Sequence, residues 1–458
     1  MSRLGARAAA TAALTLLATA GAAQAGPPGT WTQVTGVGGQ ADLNILEVGL
    51  ARTADGRLHV SWTRDAGGNA GSVLHSSVAA NAGSVSGPDT IHTYPGGANE
   101  HSVILAVPGG LRAFFAGLEA GSVLDRAMVT STSGDGVSWT PPVPASQAGS
   151  GASPVYVASG IGAAMGLDGT FYSVWGDSSP SGGGFHVGLD PSVPDQGLPG
   201  GLAIDPNVGV DSATGQVVLA WNLLDEGGLA AMSISPAGAR VTLPGSGAEQ
   251  LQHRVGITGR LGAPGIFVAY TQGTNQFLGK PAVWRFDTGK PTRLSNVQGA
   301  RDVSIAAAPN GRLWVFWHRA ETVFAVRSNP TATRWGRTVA VKPPRGTDTI
   351  SNLAGEGSRG PLDVLALADT STSGFANWHQ RILPGLSLTA VVGKNGKVTF
   401  RATDAGDPVK GAKVTVKGGP SAKTKANGRV TFTLGKGRHR AKGTKGGYSP
   451  ASAQARVR

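Results

Sequence analysis

The chain has 458 residues, enough for a large core and more than one domain. Glycine is abundant at 71 residues, only 15% of residues are charged, and cysteine is absent, which excludes disulfides, thiolate catalysis and a lipid-modified N-terminal cysteine. The net charge of +13 sits at one end: residues 385–458 hold sixteen Lys/Arg against two acids, Asp404 and Asp407, while the other 24 Lys/Arg and 25 acids nearly cancel.

Residues 1–25 read as an export signal. Arg3 and Arg7 make the positive region, Ala8 to Ala20 the apolar stretch, and Ala23-Gln24-Ala25 the small residues of a cleavage site, so a secreted mature chain is expected to begin near Gly26. Thr11, Thr15 and Thr19 interrupt the apolar stretch, which argues against a retained anchor, and no later segment is apolar and long enough to span a bilayer.

Residues 26–384 carry a repeat. Each copy has an apolar strand, a Gly-containing turn, a second apolar strand often ending in an aromatic, and a more polar hairpin. The turn and second strand read Asp55-Gly56 to Trp62, Gly109-Gly110 to Phe115, Asp168-Gly169 to Trp175, Thr214-Gly215 to Trp221, Pro264-Gly265 to Tyr270, Asn310-Gly311 to Trp317 and, less sharply, Gly360-Pro361 to Leu367. The repeated glycines lie 46 to 59 residues apart. About fifty residues with four short strands is the period of a β-propeller blade, so the fold expected is all-β. The seventh repeat shows three strands, and the lone segment Thr30 to Thr35 would supply the fourth and close the ring without leaving an edge. Seven blades are expected; six, with the last repeat as a linking hairpin, is the alternative.

Ser133-Gly134-Asp135-Gly136-Val137-Ser138-Trp139 resembles the Asp-box of sialidase-like propellers, one residue short between Asp and Gly, and Ser328-Asn329-Pro330 with Trp335 is similar to a degenerate copy. The resemblance implies a structural turn in which Asp135 binds backbone amides, with Ser133 and Gly136 shaping it and Trp139 packing into the blade. It is silent on catalysis.

Residues 385–458 contain strongly alternating strands at Val398 to Phe400, Val414 to Val416 and Val430 to Leu434. The run Asp407 to Val416, with Asn427-Gly428-Arg429-Val430 and Gly447-Tyr448, resembles bacterial Ig-like or carboxypeptidase-regulatory-like β-sandwiches. Alternation places Lys397, Arg401, Lys413, Lys417, Arg438, Arg440 and Lys442 outside the core. A solubilising face is one reading. The other is attachment to an anionic cell-wall polymer or acidic glycan. Nucleic acid is disfavoured, because Tyr448 is the only aromatic there not assigned to the core and no stacking platform exists.

The blade ends that propellers use for ligands would present Glu47, Arg64, Asp65, Glu100, His101, Glu119, Asp177, Asp205, Asp225, Glu226, His253, Arg254, Arg301, Asp302, His318, Arg319 and Glu321. A sialidase needs an arginine clamp for the substrate carboxylate, a Tyr nucleophile and an acid/base Asp. Arg64, Arg254, Arg301 and Arg319 are the clamp candidates, Tyr156 and Tyr270 the tyrosines at suitable blade ends, and Asp65 an acid. The Phe/Tyr-Arg-Ile-Pro motif that opens many sialidases is missing, and Arg381-Ile382-Leu383-Pro384 is at the wrong end. No Gly-X-Ser-X-Gly elbow, His-Glu-X-X-His motif, Walker loop or Rossmann pattern is present, so no cofactor and no metal is expected. The expectation is a non-catalytic extracellular recognition module held at a surface by its basic end; a sialidase-type glycosidase is the alternative.

Overall fold

A computed structural model places all seven repeated glycines, Gly56, Gly110, Gly169, Gly215, Gly265, Gly311 and Gly360, at positive φ between 69° and 150°. Each lets the chain turn from a blade's first strand into its second, where a Cβ would be strained. The structure describes residues 29–35, 47–67, 70–117, 128–145, 159–176, 184–188, 196–199, 203–223, 227–247, 254–273, 278–371 and 374–458. The export signal, Glu119, Tyr156, Asp177, Asp225, Glu226 and His253 lie outside these residues, and Asp65 and Glu100 are described for their backbone alone.

Seven four-stranded antiparallel sheets follow one another. Their innermost strands are Gly49–Arg52, Ala98–Val107, Ser159–Met165, Ala203–Val210, Gly256–Arg260, Arg301–Ala308 and Thr347–Glu356. Each contacts the next, and the last contacts the first, so the blades form a ring around an axial channel. The second strand of every blade carries a large buried side chain: Trp62, Phe115, Trp175, Trp221, Tyr270, Trp317 and Leu367. Around them run apolar seams that join neighbouring blades. Trp221 packs with Tyr172 and Val174 of the third blade, Tyr270 with Val218 and Ala220 of the fourth, and Trp317 with Phe267 and Ala269 of the fifth. Burying one side chain of this size contributes about 1.5–3 kcal/mol.

The fourth strand of the last blade is Thr32–Gln33, which pairs with His379 and Trp378 of Gly374–Ile382. Val34 N–H then donates to the Asn377 carbonyl at 2.8 Å, and Asn377 N–H donates to Thr35 Oγ1 at 2.8 Å. Val34, Val48 and Trp62 share one core with Leu365 and Leu367, so an apolar core joins the last blade to the first as well. The six-bladed alternative is excluded.

A buried ion cluster crosses this seam. Arg52, at the end of the first blade's inner strand, pairs with Glu356 and Asp363 of the last blade. Asp363 also accepts from His379 Nε2 at 2.9 Å and from Arg381 Nε and Nη2 at 2.8 and 3.1 Å. Burial by itself pushes the Asp363 carboxyl up, but hydrogen bonds from His379 and Arg381, with the charges of His379 and Arg52, outweigh it and hold the group at about 2.

Residues 387–457 form two further sheets packed face to face. The first contains Ser387–Val392, Lys397–Asp404, Asp407–Pro408 and Arg429–Thr433; the second runs Ser421–Lys423, Lys413–Val416, Gly437–Thr444, Ala451–Val457. Leu388, Val398 and Phe400 of one meet Val414, Ala441 and Val457 of the other in a single core. The chain is therefore an all-β propeller followed by a small β-sandwich. Among the described residues no helix is long and apolar enough to cross a membrane.

Removing one member of a buried ion cluster leaves its partners charged and dry, at a cost of about 3–5 kcal/mol. Asp363→Asn is expected to lower unfolding stability by about that amount in urea denaturation at neutral pH. Because the folded carboxyl titrates below its unfolded value, its contribution is present above pH ~4 and is lost as pH falls toward 2. The Asn variant should lack that part of the wild-type acid transition.

Candidate functional site

Six residues lie at or just before the beginning of successive innermost strands: Glu47, His101, Gly160, Asp205, Arg254 and Asp302. The pairing slips at or beside this place in the second, third, fourth and sixth blades, and Gly160, Asp205 and Asp302 have positive φ there. A bulge of this kind re-aims a side chain at the rim of a ring. Asp302, with Glu47 and Arg254, lines the channel, a cavity of about 240 Å³.

Arg254 is central to that lining. Its guanidinium donates to the Ile161 carbonyl at 2.7 Å and the Ser102 carbonyl at 3.0 Å, and it pairs with Glu47 Oε2 at 3.0 Å. Glu47 also accepts the Arg254 backbone amide and meets His101 Nδ1 at 3.1 Å. One arginine of the fifth blade thus ties the first, second and third blades together across the axis. Asp302 is engaged as well, with His318 Nε2 2.6 Å from its Oδ2 and His318 Nδ1 2.7 Å from the Ala320 carbonyl.

The other clamp candidates are scattered around the ring. Arg64 is half-buried near the end of the first blade's second strand, opposite Ser72. Arg301 and Arg319 are both exposed on the sixth blade, and Arg319 lies over the Phe324 ring at 5.7 Å. The Asp65 backbone pairs with Gly71. Tyr270 is wholly buried, donates to the Pro244 carbonyl at 2.7 Å, and burial pushes its hydroxyl well above the ordinary phenol range. These residues make no carboxylate clamp with a reactive tyrosine. Repeat spacing located their blade ends but not the partners of Arg254 and Tyr270, which are carbonyls of Ile161, Ser102 and Pro244.

The turn at Asp135 lies between the third and fourth strands of the second blade. Asp135 Oδ1 accepts from the Val137 and Ser138 amides at 2.8 Å and from Ser133 Oγ at 3.0 Å, and Ser133 Oγ accepts from Gly136 N–H at 2.8 Å. The two backbone amides and Ser133 hold the Asp135 carboxyl at about 2 although it faces solvent. Asn329 does the same in the sixth blade, accepting from the Thr333 and Arg334 amides at 2.9 and 3.0 Å. Trp139 departs from the expected place inside the blade. It is half-buried at the seam between first and second blades, tilted against His75 at 5.6 Å.

That turn covers a pair of stacked, buried histidines, His59 and His75. A Cβ on Gly136 would come within 3.2 Å of both rings, which fixes glycine there. Thr53 Oγ1 donates to Asp55, so it accepts from His59 Nε2 at 3.1 Å; His59 Nδ1 then accepts from His75 Nε2 at 2.9 Å. Only His75 Nδ1 is left for a further proton, 3.6 Å from Asp89. Burial and the charge of His75 push His59 down to about 4; burial and Arg57 push His75 to about 4.

The seven basic-domain candidates divide between two opposite faces of the sandwich. Lys397 and Arg401 are exposed on the first sheet, beside Arg429. Lys413, Lys417, Arg438, Arg440 and Lys442 are exposed on the second, where Lys423 and Arg456 join them. Lys423 and Arg456 were not singled out in the sequence. Both lie on strands poor in β-branched residues, Ser421–Lys423 and Ala451–Val457.

The acids of the sandwich face the propeller. Asp404 pairs with Arg327 and, at 3.5 Å, Arg312; Asp407 pairs with Arg312 at 2.8 Å and Arg334 at 3.2 Å. Arg337 donates to the Leu386 and Pro450 carbonyls at 2.8 Å, and Arg327 lies over Tyr448 at 5.7 Å. Four arginines of the sixth blade therefore hold the sandwich, and its two acids are spent there.

Neither a family model nor a curated protein matches the chain. Among solved structures it is similar to a Hadza microbial sialidase, at 10% identity and TM-score 0.48 over 73% of this chain and 65% of that one. It is similar to a puromycin hydrolase at 12% identity and TM-score 0.45, over 92% of this chain and 62% of that one. A six-bladed fungal lectin follows at 15% identity and TM-score 0.36, over 61% and 90%. The chain spans less than two-thirds of the first two. With every score below 0.5, function rests on this chain's own residues.

The histidine pair gives a pH window. The unfolded chain takes up protons near pH 6.5 that the folded pair refuses until about pH 4, so the pair's effect is to lower stability as pH falls from 6.5 to 4, with no further loss from the pair below that. Denaturation midpoints of His59→Gln, followed across this range, should fall less steeply than wild type.

Proposed function

We propose that this protein is an exported, non-catalytic recognition module that attaches to an anionic polymer outside the cell through its basic sandwich. The observation that carries the reading is the engagement of Arg254: the best-placed clamp arginine is bonded to two carbonyls and Glu47. With Tyr270 buried and bonded to Pro244, two of the residues a sialidase would use, Arg254 and Tyr270, serve the ring instead. The charge lies elsewhere, in sixteen Lys/Arg of residues 385–458 whose two acids are paired with blade arginines. Exposed charges of this kind act over roughly 8–10 Å at ordinary ionic strength, so attachment through them is sensitive to salt. The export signal of residues 1–25 accords with a polymer met outside the cell.

The test uses the mature full-length chain. It is expected to sediment with isolated bacterial cell walls at low salt, to be released as salt rises, and to leave a fluorogenic sialoside uncleaved. Salt-independent retention would remove the electrostatic attachment. Sialoside cleavage that disappears in a folded Arg254→Ala variant would establish the glycosidase instead.

A further inference from the structure

The second sheet of the sandwich presents an exposed face of seven cations: Lys413, Lys417, Lys423, Arg438, Arg440, Lys442 and Arg456. Cross-strand register puts them on one side. Lys413 is opposite Lys423, Arg438 opposite Arg456, and Lys442 opposite both Thr415 and Ser452. Among the described residues none of the seven is in an ion pair, and both acids of the sandwich lie on the other sheet against the propeller. Like charges directly opposite one another across a ladder are destabilising. Neighbouring positions are about 5 Å apart across strands and about 7 Å along them, inside the screening length, so the repulsion is not removed by ordinary salt.

The face is not uniformly charged. A shallow groove of about 700 Å³ runs across it, where Lys417, Arg440 and Lys442 alternate with Thr415, Ser452 and Gln454. The neutral groups donate and accept hydrogen bonds, as a chain of sugar hydroxyls requires. No aromatic or large apolar side chain is exposed on this face; the exposed Val391 and Val392 belong to the other sheet. A nucleic acid would want a stacking platform and a lipid surface an apolar wedge.

Deepening the polymer-binding reading above, on which it rests, we propose that this one sheet face is the docking surface, and that its occupant is a linear acidic polysaccharide. Its carboxylates lie along Lys417, Arg440 and Lys442, and its hydroxyls against Thr415, Ser452 and Gln454. The first sheet, with Lys397, Arg401 and Arg429, takes no part.

Two full-length variants of equal net charge separate this from a general effect of basicity: Lys417→Gln/Arg440→Gln/Lys442→Gln on the second sheet and Lys397→Gln/Arg401→Gln/Arg429→Gln on the first. All six positions are exposed, so both variants should melt no lower than wild type. The probe is polygalacturonate at low salt. The second-sheet variant is expected to bind roughly tenfold more weakly and the first-sheet variant within about twofold of wild type. Equal losses, or a larger loss on the first sheet, overturn the choice of face while leaving polymer binding intact. Wild-type protein that sediments with cell walls but ignores polygalacturonate overturns the polysaccharide. Tighter binding to phosphatidylglycerol vesicles or single-stranded DNA than to polygalacturonate overturns it too. Failure to bind cell walls or any of these probes defeats the underlying reading.

Discussion

Two arginines from opposite ends of the repeat array, Arg52 and Arg381, meet in a buried seam on either side of Asp363. A propeller made of similar blades has one junction that consecutive folding does not supply, the one between last and first. Here that junction is made three ways at once: by the short strand Thr32–Gln33, by the shared core of Val34, Trp62 and Leu367, and by the ion cluster on Asp363. The hydrophobic seam is repeated around the ring and confers no order. The ion cluster on Asp363 adds a buried polar tie at this junction. Arg254 adds a second tie at the opposite end of the inner strands, reaching across the axis to three other blades.

A closed ring makes the sixth blade a firm support, and the sandwich uses it. Arg312, Arg327 and Arg334 project from that blade toward Asp404 and Asp407, while Arg337 caps carbonyls on either side of the sandwich entry. Arg334 belongs to the turn that Asn329 shapes. The docking thus disposes of the only two acids among the last 74 residues and leaves the second sheet without an acid. Charge is arranged here by subtraction as much as by addition.

The ring was legible in the sequence because a propeller repeats its turns. Glycine at positive φ and an aromatic six or fewer residues later recur in blade after blade, and the missing strand of the last repeat pointed to Thr30 to Thr35. The polar contacts that tie the ring were not legible. Asp363 meets Arg52 across 311 residues of sequence, and Arg254 meets main-chain carbonyls that carry no side-chain signature. Alternation correctly put Lys397, Arg401, Lys413 and Lys442 outside the core, since the period of two is local. Which sheet each strand joins is set by pairing between distant segments, so alternation alone does not tell that these cations divide between two opposite faces.

The functional account places recognition on the second sheet of the sandwich and leaves the propeller as its support. Lysine acetylation of the full-length chain, read by mass spectrometry with and without acidic polysaccharide, reports on both at once. The account predicts protection of Lys413, Lys417 and Lys442, with Lys397 on the opposite sheet and Lys280 and Lys290 on the propeller as reactive as before. Protection at Lys280 or Lys290, with the second-sheet lysines unchanged, would put the binding surface on the propeller and contradict it.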